Sequence, residues 1–430
     1  MAGHRPATHI FIMAFKQLVE VREGEHRAVG MSFLYFFFVL AGYFILRPIR
    51  DEVAAASGVS KLPWLFAGTL VVTLIFNPLF SALVVRFPPR RFIAFSSHFF
   101  VANLLVFYFV MKFGTPSVWI GRAFFVWTSV FNLFVVSIFW SFMADVFRSD
   151  QAKRLFGFIG VGGTLGSITG SALTATLASR IGTVNLLLIS GLLLEIAVGF
   201  VVMFPATSGG DGMARRETAP IGGSAFAGIT HLFRSPYLLG ICAFLILYTI
   251  GSTFLYFQQS DIVGRSFVTR EARTAVLARI ELAVQILTVT TQVFFTGRLI
   301  RWLGLAAALA LLPALTLLGF ASLGLLPTFA TLAVFIVIRR GANFALTNPA
   351  MEVLFTVVPR EEKYKAKSFI ETFVYRGGDQ IGAWAYAGLA ALGIGATGLA
   401  FAAIPLAALW FVNGLWLGRQ HGARAAQTGS

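Results

Sequence analysis

Residues 183–258 read TVNLLLISGLLLEIAVGFVVMF, then PATSGGDGMARRETAPIGGSAFAGITHLFRS, then PYLLGICAFLILYTIGSTFLYFQ. The two outer segments, 183–204 and 236–258, are almost unbroken apolar runs. At ~1.5 Å per residue each is long enough as a helix to cross a hydrocarbon core of ~30 Å. Neither alternates with period two, which argues against barrel strands. The segment between them holds Ser208-Gly209-Gly210-Asp211-Gly212 and Ala219-Pro220-Ile221-Gly222-Gly223-Ser224, the composition of a linker. Two membrane helices joined by a polar connection therefore sit at the centre of the chain.

The same pattern extends outward in both directions. Upstream runs cover 28–50, 64–85, 92–112, 118–144 and 155–178; downstream runs cover 274–297, 302–325, 328–356, 368–391 and 395–417. The fold expected is an all-α polytopic membrane protein with twelve spans. It divides into residues 1–27 as a cytoplasmic tail, 28–204 as one six-helix half, 205–235 as a cytoplasmic linker, 236–417 as the second half and 418–430 as a tail. In the first tail, Ile10, Ala14, Leu18 and Val21 share a helical face and predict an interfacial helix. The halves repeat one another weakly. Gly162-Gly163 and Gly377-Gly378 lie in the fifth and eleventh spans, each after a basic loop (148–154 and 360–367). Parallel six-plus-six repeats indicate a major facilitator-like architecture.

Composition agrees. Of the 430 residues, 57% are hydrophobic and 12% charged, against about 25% charged in soluble domains. A soluble enzyme, a secreted all-β domain and a disordered chain are excluded. The net charge of +16 resides mostly in short loops. With the N-terminus inside, 21 of the 34 basic residues fall on the cytoplasmic side and eight on the opposite side. That bias orients the chain rather than marking a nucleic-acid binder, and it places both termini in the cytoplasm of a bacterial inner-membrane protein. The one cysteine, Cys242, and six scattered His provide neither a disulfide framework nor a metal site. No nucleotide-hydrolysis loop, catalytic triad or HExxH is present, so neither an enzymatic activity nor a cofactor is expected. Gly160–Gly166 has the glycines of a dinucleotide loop but not its strand and helix. Gly162, Gly166 and Gly170, with Gly163, Ser167 and Ser171, read instead as small-residue faces for helix packing.

Ionisable groups inside the spans carry the function. Each costs about 2.5–3.5 kcal/mol on insertion scales and persists when paired, hydrated or bound. Span 1 ends in Ile45-Leu46-Arg47-Pro48-Ile49-Arg50-Asp51-Glu52, an anion-facing cluster or a self-paired helix end. Span 10 holds Arg339 and Arg340, with Asn343 near the same face. Arg340 lies ~18 Å into that span at ~1.5 Å per residue, too deep for snorkelling. One of these two arginines is expected to meet an acid and the other a cavity. Span 11 holds Glu371, Arg376 and Asp379, the last two at ion-pair spacing, and span 8 holds Glu281. Surplus arginine favours an anionic, phosphorylated solute, because the guanidinium fork matches phosphate oxygens.

These segments resemble the ATP/ADP translocases, the nucleotide transporters of plastids and intracellular bacteria. Ile45–Glu52 is similar to that family's span 1 segment. Phe139-Trp140-Ser141-Phe142-Met143-Ala144-Asp145 resembles its Phe-Trp-x-Phe segment. Asn348-Pro349-Ala350-Met351-Glu352, then 359–369 (PREEKYKAKSF), then Arg376-Gly377-Gly378 resemble its later series in order and spacing. The resemblance implies a nucleotide antiporter in which Arg50 and Arg376 stand at the family's basic exchange positions and Arg340 at another. Here Arg339 would support them or pair with an acid. The sequence departs from the family at Thr128-Ser129-Val130-Phe131-Asn132, which has no carboxylate where the family carries one. Glu281 is the candidate for its other acidic transport residue.

The function expected is exchange or import of nucleotides or related phosphorylated anions by alternating access. The substrate contacts expected are Arg50, Arg339, Arg340, Arg376 and Asn343; the coupling or ion-pair candidates are Asp51, Glu281, Glu371 and Asp379. The alternative is a proton-coupled permease or exporter for another organic anion. Membrane lipid and an anionic small molecule are the partners expected of a monomer, with no nucleic acid.

Overall fold

A computed structural model describes residues 22, 24–86, 89–115, 117–204, 235–294, 296–358, 367 and 370–428. Among the described residues all regular structure is helical. The helices are α1 (His26–Ser57), α2 (Leu62–Arg86), α3 (Pro89–Phe113), α4 (Val118–Val146), α5 (Ser149–Ile181), α6 (Leu186–Val202), α7 (Pro236–Ser266), α8 (Arg270–Phe294) and α9 (Thr296–Leu325). They continue as α10 (Phe329–Ala342), α11 (Asn348–Leu354), α12 (Tyr375–Ala391) and α13 (Ala396–Thr428). Among the described residues, ten helical stretches are long and apolar enough to cross a membrane, and α6 is a shorter apolar helix. The chain is thus an all-α polytopic membrane protein, in which α10 and α11 share one crossing. The expected interfacial helix, the linker over 205–234 and residues 360–366 of the basic loop lie outside the described residues.

Local chemistry sets several ends. Ser235 precedes Pro236 at the start of α7 and accepts from the Leu238 N–H at 3.4 Å, and Thr328 accepts from Thr331 at the start of α10. Gly182 ends α5 at φ 85°, a conformation costly to any residue with a Cβ. Before α1, Glu25 accepts two hydrogen bonds from Arg154, one from Gln151 and one from the Arg22 backbone. The Arg154 hydrogen bonds lead these contacts in holding the Glu25 carboxyl at about 2, below its ordinary value.

The chain forms two compact units. One is built from the described parts of residues 1–47, 74–120 and 127–220; the other from 48–73, 121–126 and 221–430. The division therefore passes through α1 at Pro48, which has no N–H for the helical ladder.

In the first unit α5 lies against α1. A Cβ at Gly162, Gly166 or Gly170 would meet the backbone oxygen of Phe33, Phe37 or Ala41. The four-residue glycine stripe is a contact face, as its spacing predicts. The Phe139–Phe142 segment is also packing. Phe139 stacks on Phe36 at 3.9 Å, and Phe142 meets Tyr35 edge-on. In the second unit Tyr237, Ile241, Phe244, Leu309, Leu312, Leu354 and Trp410 share one buried cluster. Gly414 and Gly418 of α13 lie against α9 at Leu309 and Ala306.

Two departures from regular α-helix were not expected. Asn343–Thr347, between α10 and α11, is a π-helical turn, and so is Ile370–Val374, just before α12. Each adjoins an intramembrane arginine: Arg339 and Arg340 precede the first turn, and Arg376 follows the second. Single π turns of this kind interrupt helices frequently at functional sites.

Candidate functional site

The second unit gathers the ionisable groups of spans 7–11. Arg339 is only 3% exposed. Its Nε donates to Thr316 Oγ1 at 3.0 Å. One terminal nitrogen donates to the Tyr248 carbonyl at 3.3 Å and to Ser252 Oγ at 3.0 Å. The other terminal nitrogen makes no hydrogen bond among the described residues. The guanidinium carbon lies 5.3 Å from the Tyr248 ring centre and 6.0 Å from that of Trp410. Among the described residues no carboxylate pairs with Arg339. Neutral oxygens and two π faces alone hold this buried cation.

Arg340 is treated in the opposite way. Its two terminal nitrogens donate to the two carboxylate oxygens of Glu281, one of them at 3.1 Å, and the Glu281 side chain is 4% exposed. Of the two arginines, one of which was expected to meet an acid, it is Arg340 that does so, and Arg339 does not pair with an acid among the described residues. A step of one residue turns a helix by about 100°, which aims Arg340 at α8 and Arg339 at α7 and α9.

Asn343 opens the π turn and donates from Nδ2 to the Tyr248 hydroxyl at 3.0 Å, on the ring that faces Arg339. Trp410 is fully buried, and its indole N–H has no hydrogen-bond partner among the described residues. A buried donor left unmade costs about 1–3 kcal/mol. Arg376 and Asp379 form a looser pair at 3.9 Å, and Thr253 reaches Asp379 at 3.5 Å. Gly378 is packed against Thr249 and Ile246 of α7, whereas a Cβ at Gly377 would meet nothing within 4 Å. The pair thus splits its work: Gly378 lets two helices close, and Gly377 faces open space. The side chain of Glu371 lies outside the described residues.

Arg50 and Asp51 stand apart from this centre, at the Ser57 end of α1. Arg50 bonds to Asp51 through Nε at 3.0 Å and a terminal nitrogen at 2.7 Å, and Tyr256 donates to Asp51 at 3.0 Å. Sequence reasoning missed Tyr248, Ser252, Thr316 and Trp410, which cradle Arg339 from three helices. Neutral residues of apolar spans carry no charge signal, and only their convergence on one guanidinium identifies them.

Residues 31–383 match the family described as the Major Facilitator Superfamily. The chain belongs to the Major Facilitator Superfamily. No curated protein matches it by sequence. Among solved structures it is similar to an auto-inhibited POT family peptide transporter, at 14% identity and a TM-score of 0.62, covering 93% of this chain and 97% of that one. The nucleoside transporter NupG is similar at 15% identity and a TM-score of 0.60, covering 94% and 99%. A POT family transporter in complex with 5-aminolevulinic acid matches at 11% identity and a TM-score of 0.59, covering 92% and 96%. At these identities the likeness is one of fold. This superfamily member is a multi-pass secondary transporter, and its substrate is a matter of site chemistry.

Proposed function

We propose that this superfamily member carries a small organic anion, a nucleotide or a related phosphorylated compound, across a bacterial inner membrane by alternating access, with both termini in the cytoplasm. The observation that carries the reading is the buried Arg339 with no carboxylate partner among the described residues. An isolated cation at this depth is costly, and an anionic ligand supplies the missing charge. Arg339 is the primary anion contact, with the Trp410 N–H and Asn343 beside it. Arg340 stays with Glu281, and Arg376, loosely held by Asp379, supplies a second cationic contact. The motif resemblance to the ATP/ADP translocases supports a nucleotide, and the fold shared with a nucleoside transporter is compatible with it.

The Arg340–Glu281 pair favours a second reading, a proton-coupled permease for an organic anion. In that reading an incoming anion takes Arg340 and the released Glu281 takes a proton.

Proteoliposomes loaded with ADP, ATP, inorganic phosphate or nothing, and offered labelled ATP, phosphate or a dicarboxylate in turn, test both. Uptake only with nucleotide inside establishes exchange. Uptake driven by an imposed pH gradient into empty liposomes establishes proton coupling. Absence of ATP, phosphate and dicarboxylate transport under every loading refutes the anion reading.

A further inference from the structure

The Ser57 end of α1 carries two buried carboxylates. Glu52, 3% exposed in its side chain, accepts from Arg273 at 2.7 and 3.2 Å and from Arg270 at 3.2 Å. Asp51 is held by Arg50 and Tyr256 as described above. Arg50 also lies 5.5 Å from the Phe125 ring centre. Three guanidinium groups thus converge on two adjacent carboxylates. Arg270 and Arg273 stand one turn apart at the start of α8, where the helix dipole adds to the positive potential. Arg273 is further fixed by bonds to the Phe267 and Val268 carbonyls at 3.2 and 2.8 Å. Arg273 is thus preorganised by the turn before α8, not only by Glu52. Behind Glu52, Ala55 packs so near Gly264 of α7 that a Cβ there would come within 2.9 Å of the Ala55 oxygen. Ahead of it, Pro48 interrupts the ladder of α1.

We propose that Arg270 and Arg273 form an anion-binding site separate from the Arg339 centre, whose occupant in this structure is the chain's own Glu52. The phosphate group of a substrate replaces Glu52 there and releases the Ser57 end of α1 from α8. Two guanidinium forks accept either a carboxylate or a phosphate, and the more highly charged group wins the competition. Phosphate-bearing anions therefore displace Glu52 where monocarboxylates do not. Release needs only the segment after Pro48 to move, and the buried surface at Ala55 and Gly264 is what it uncovers. The inference rests on the anion-transporter reading for the identity of the ligand and stands on its own geometry for the site.

The test uses the purified full chain in detergent, with Cys242→Ala removing the natural thiol and Ala55→Cys reporting on the covered surface. The rate of maleimide labelling is followed in chloride, acetate, inorganic phosphate and ATP at matched ionic strength. Labelling is expected to be slow in chloride and acetate and to rise by about tenfold in ATP or phosphate, as the released state becomes the major one. Glu52→Gln is expected to label fast in every salt, and Glu52→Asp to restore slow, ATP-sensitive labelling. Arg270→Gln with Arg273→Gln is expected to label fast and ignore ATP. Slow labelling in Glu52→Gln overturns the proposal, and so does equal acceleration by ATP in the double arginine variant. Elution as a monodisperse peak and the Glu52→Asp rescue separate release from misfolding. A labelling response without transport of any anion would sink the transporter reading alone; transport without an anion-dependent labelling response would sink this inference alone.

Discussion

The Arg339 centre and the Glu52 clasp solve the same problem in opposite ways. The guanidinium group of Arg339 is buried, and those of the clasp are half-buried against two buried carboxylates. At the clasp every arginine has a carboxylate from the chain itself, with Glu52 shared between two of them. At the centre Arg339 has hydroxyls, a carbonyl and two aromatic faces, and no carboxylate among the described residues. Arg340, its neighbour in sequence, follows the clasp pattern with Glu281. The contrast separates charge that the chain matches with its own carboxylates from charge that it leaves unmatched. Breaking an internal pair strands a buried ion, whereas neutralising Arg339 removes an ion that was already uncompensated.

The largest expected effect breaks the comparison if it fails. Arg339→Gln should lower anion transport by at least ~100-fold, the loss typical of about 2.7 kcal/mol in the transport barrier, while thermal stability in detergent is unchanged or raised. A destabilised variant would show that Arg339 is structural. The opposite signature is expected next door. Glu281→Ala leaves Arg340 unpaired and should cost about 3 kcal/mol of stability, and Glu281→Gln combined with Arg340→Gln should recover most of it. Equal melting temperatures for Glu281→Ala and the parent would remove the distinction between the two arginines. Next in size, Gly166→Leu should destabilise the first unit by roughly 1–3 kcal/mol through collision with the Phe37 backbone, with anion affinity retained in whatever fraction folds. Trp410→Phe keeps an aromatic face but removes the orphaned N–H and part of the ring system, so the cavity left should cost about 1–3 kcal/mol of stability while anion affinity falls up to tenfold. The smallest effect concerns Glu25. Its carboxyl is depressed to about 2, so the grip on Arg154 is present above the ordinary carboxylate value of 4.5 and is lost as pH falls toward 2. Glu25→Gln should remove that acid-side loss without altering transport.

Much of the fold was legible because hydrophobic length alone separates spans from loops. The glycine stripe of α5 was legible for a related reason: a four-residue recurrence of small residues has one physical use between apolar helices. The site was legible only as charge. Arg339, Arg340, Glu281, Arg376 and Asp379 stood out against their surroundings, but which acid meets which base depends on rotation about each helix, and the π turn at Asn343 alters that rotation. Arg270 and Arg273 fall just before the span 274–297 and read in the sequence only as two of the eight loop charges on the non-cytoplasmic side. Their partner Glu52 lies 218 and 221 residues away in sequence. The i,i+3 spacing of two arginines was the one local sign of a shared ligand.

The central claim is that Arg339 awaits an anion, and ligand-dependent thermal stabilisation of the purified protein tests it most directly. ATP, ADP, inorganic phosphate and a dicarboxylate are each titrated against the parent, Arg339→Lys and Arg339→Gln. A ligand that binds only the folded state raises its stability by about 2.7 kcal/mol at a hundred times its dissociation constant. The account predicts concentration-dependent stabilisation of the parent by at least one of these anions, a weaker response in Arg339→Lys, and none in Arg339→Gln. An equal response in Arg339→Gln, or no response to any of the four in the parent, would contradict it.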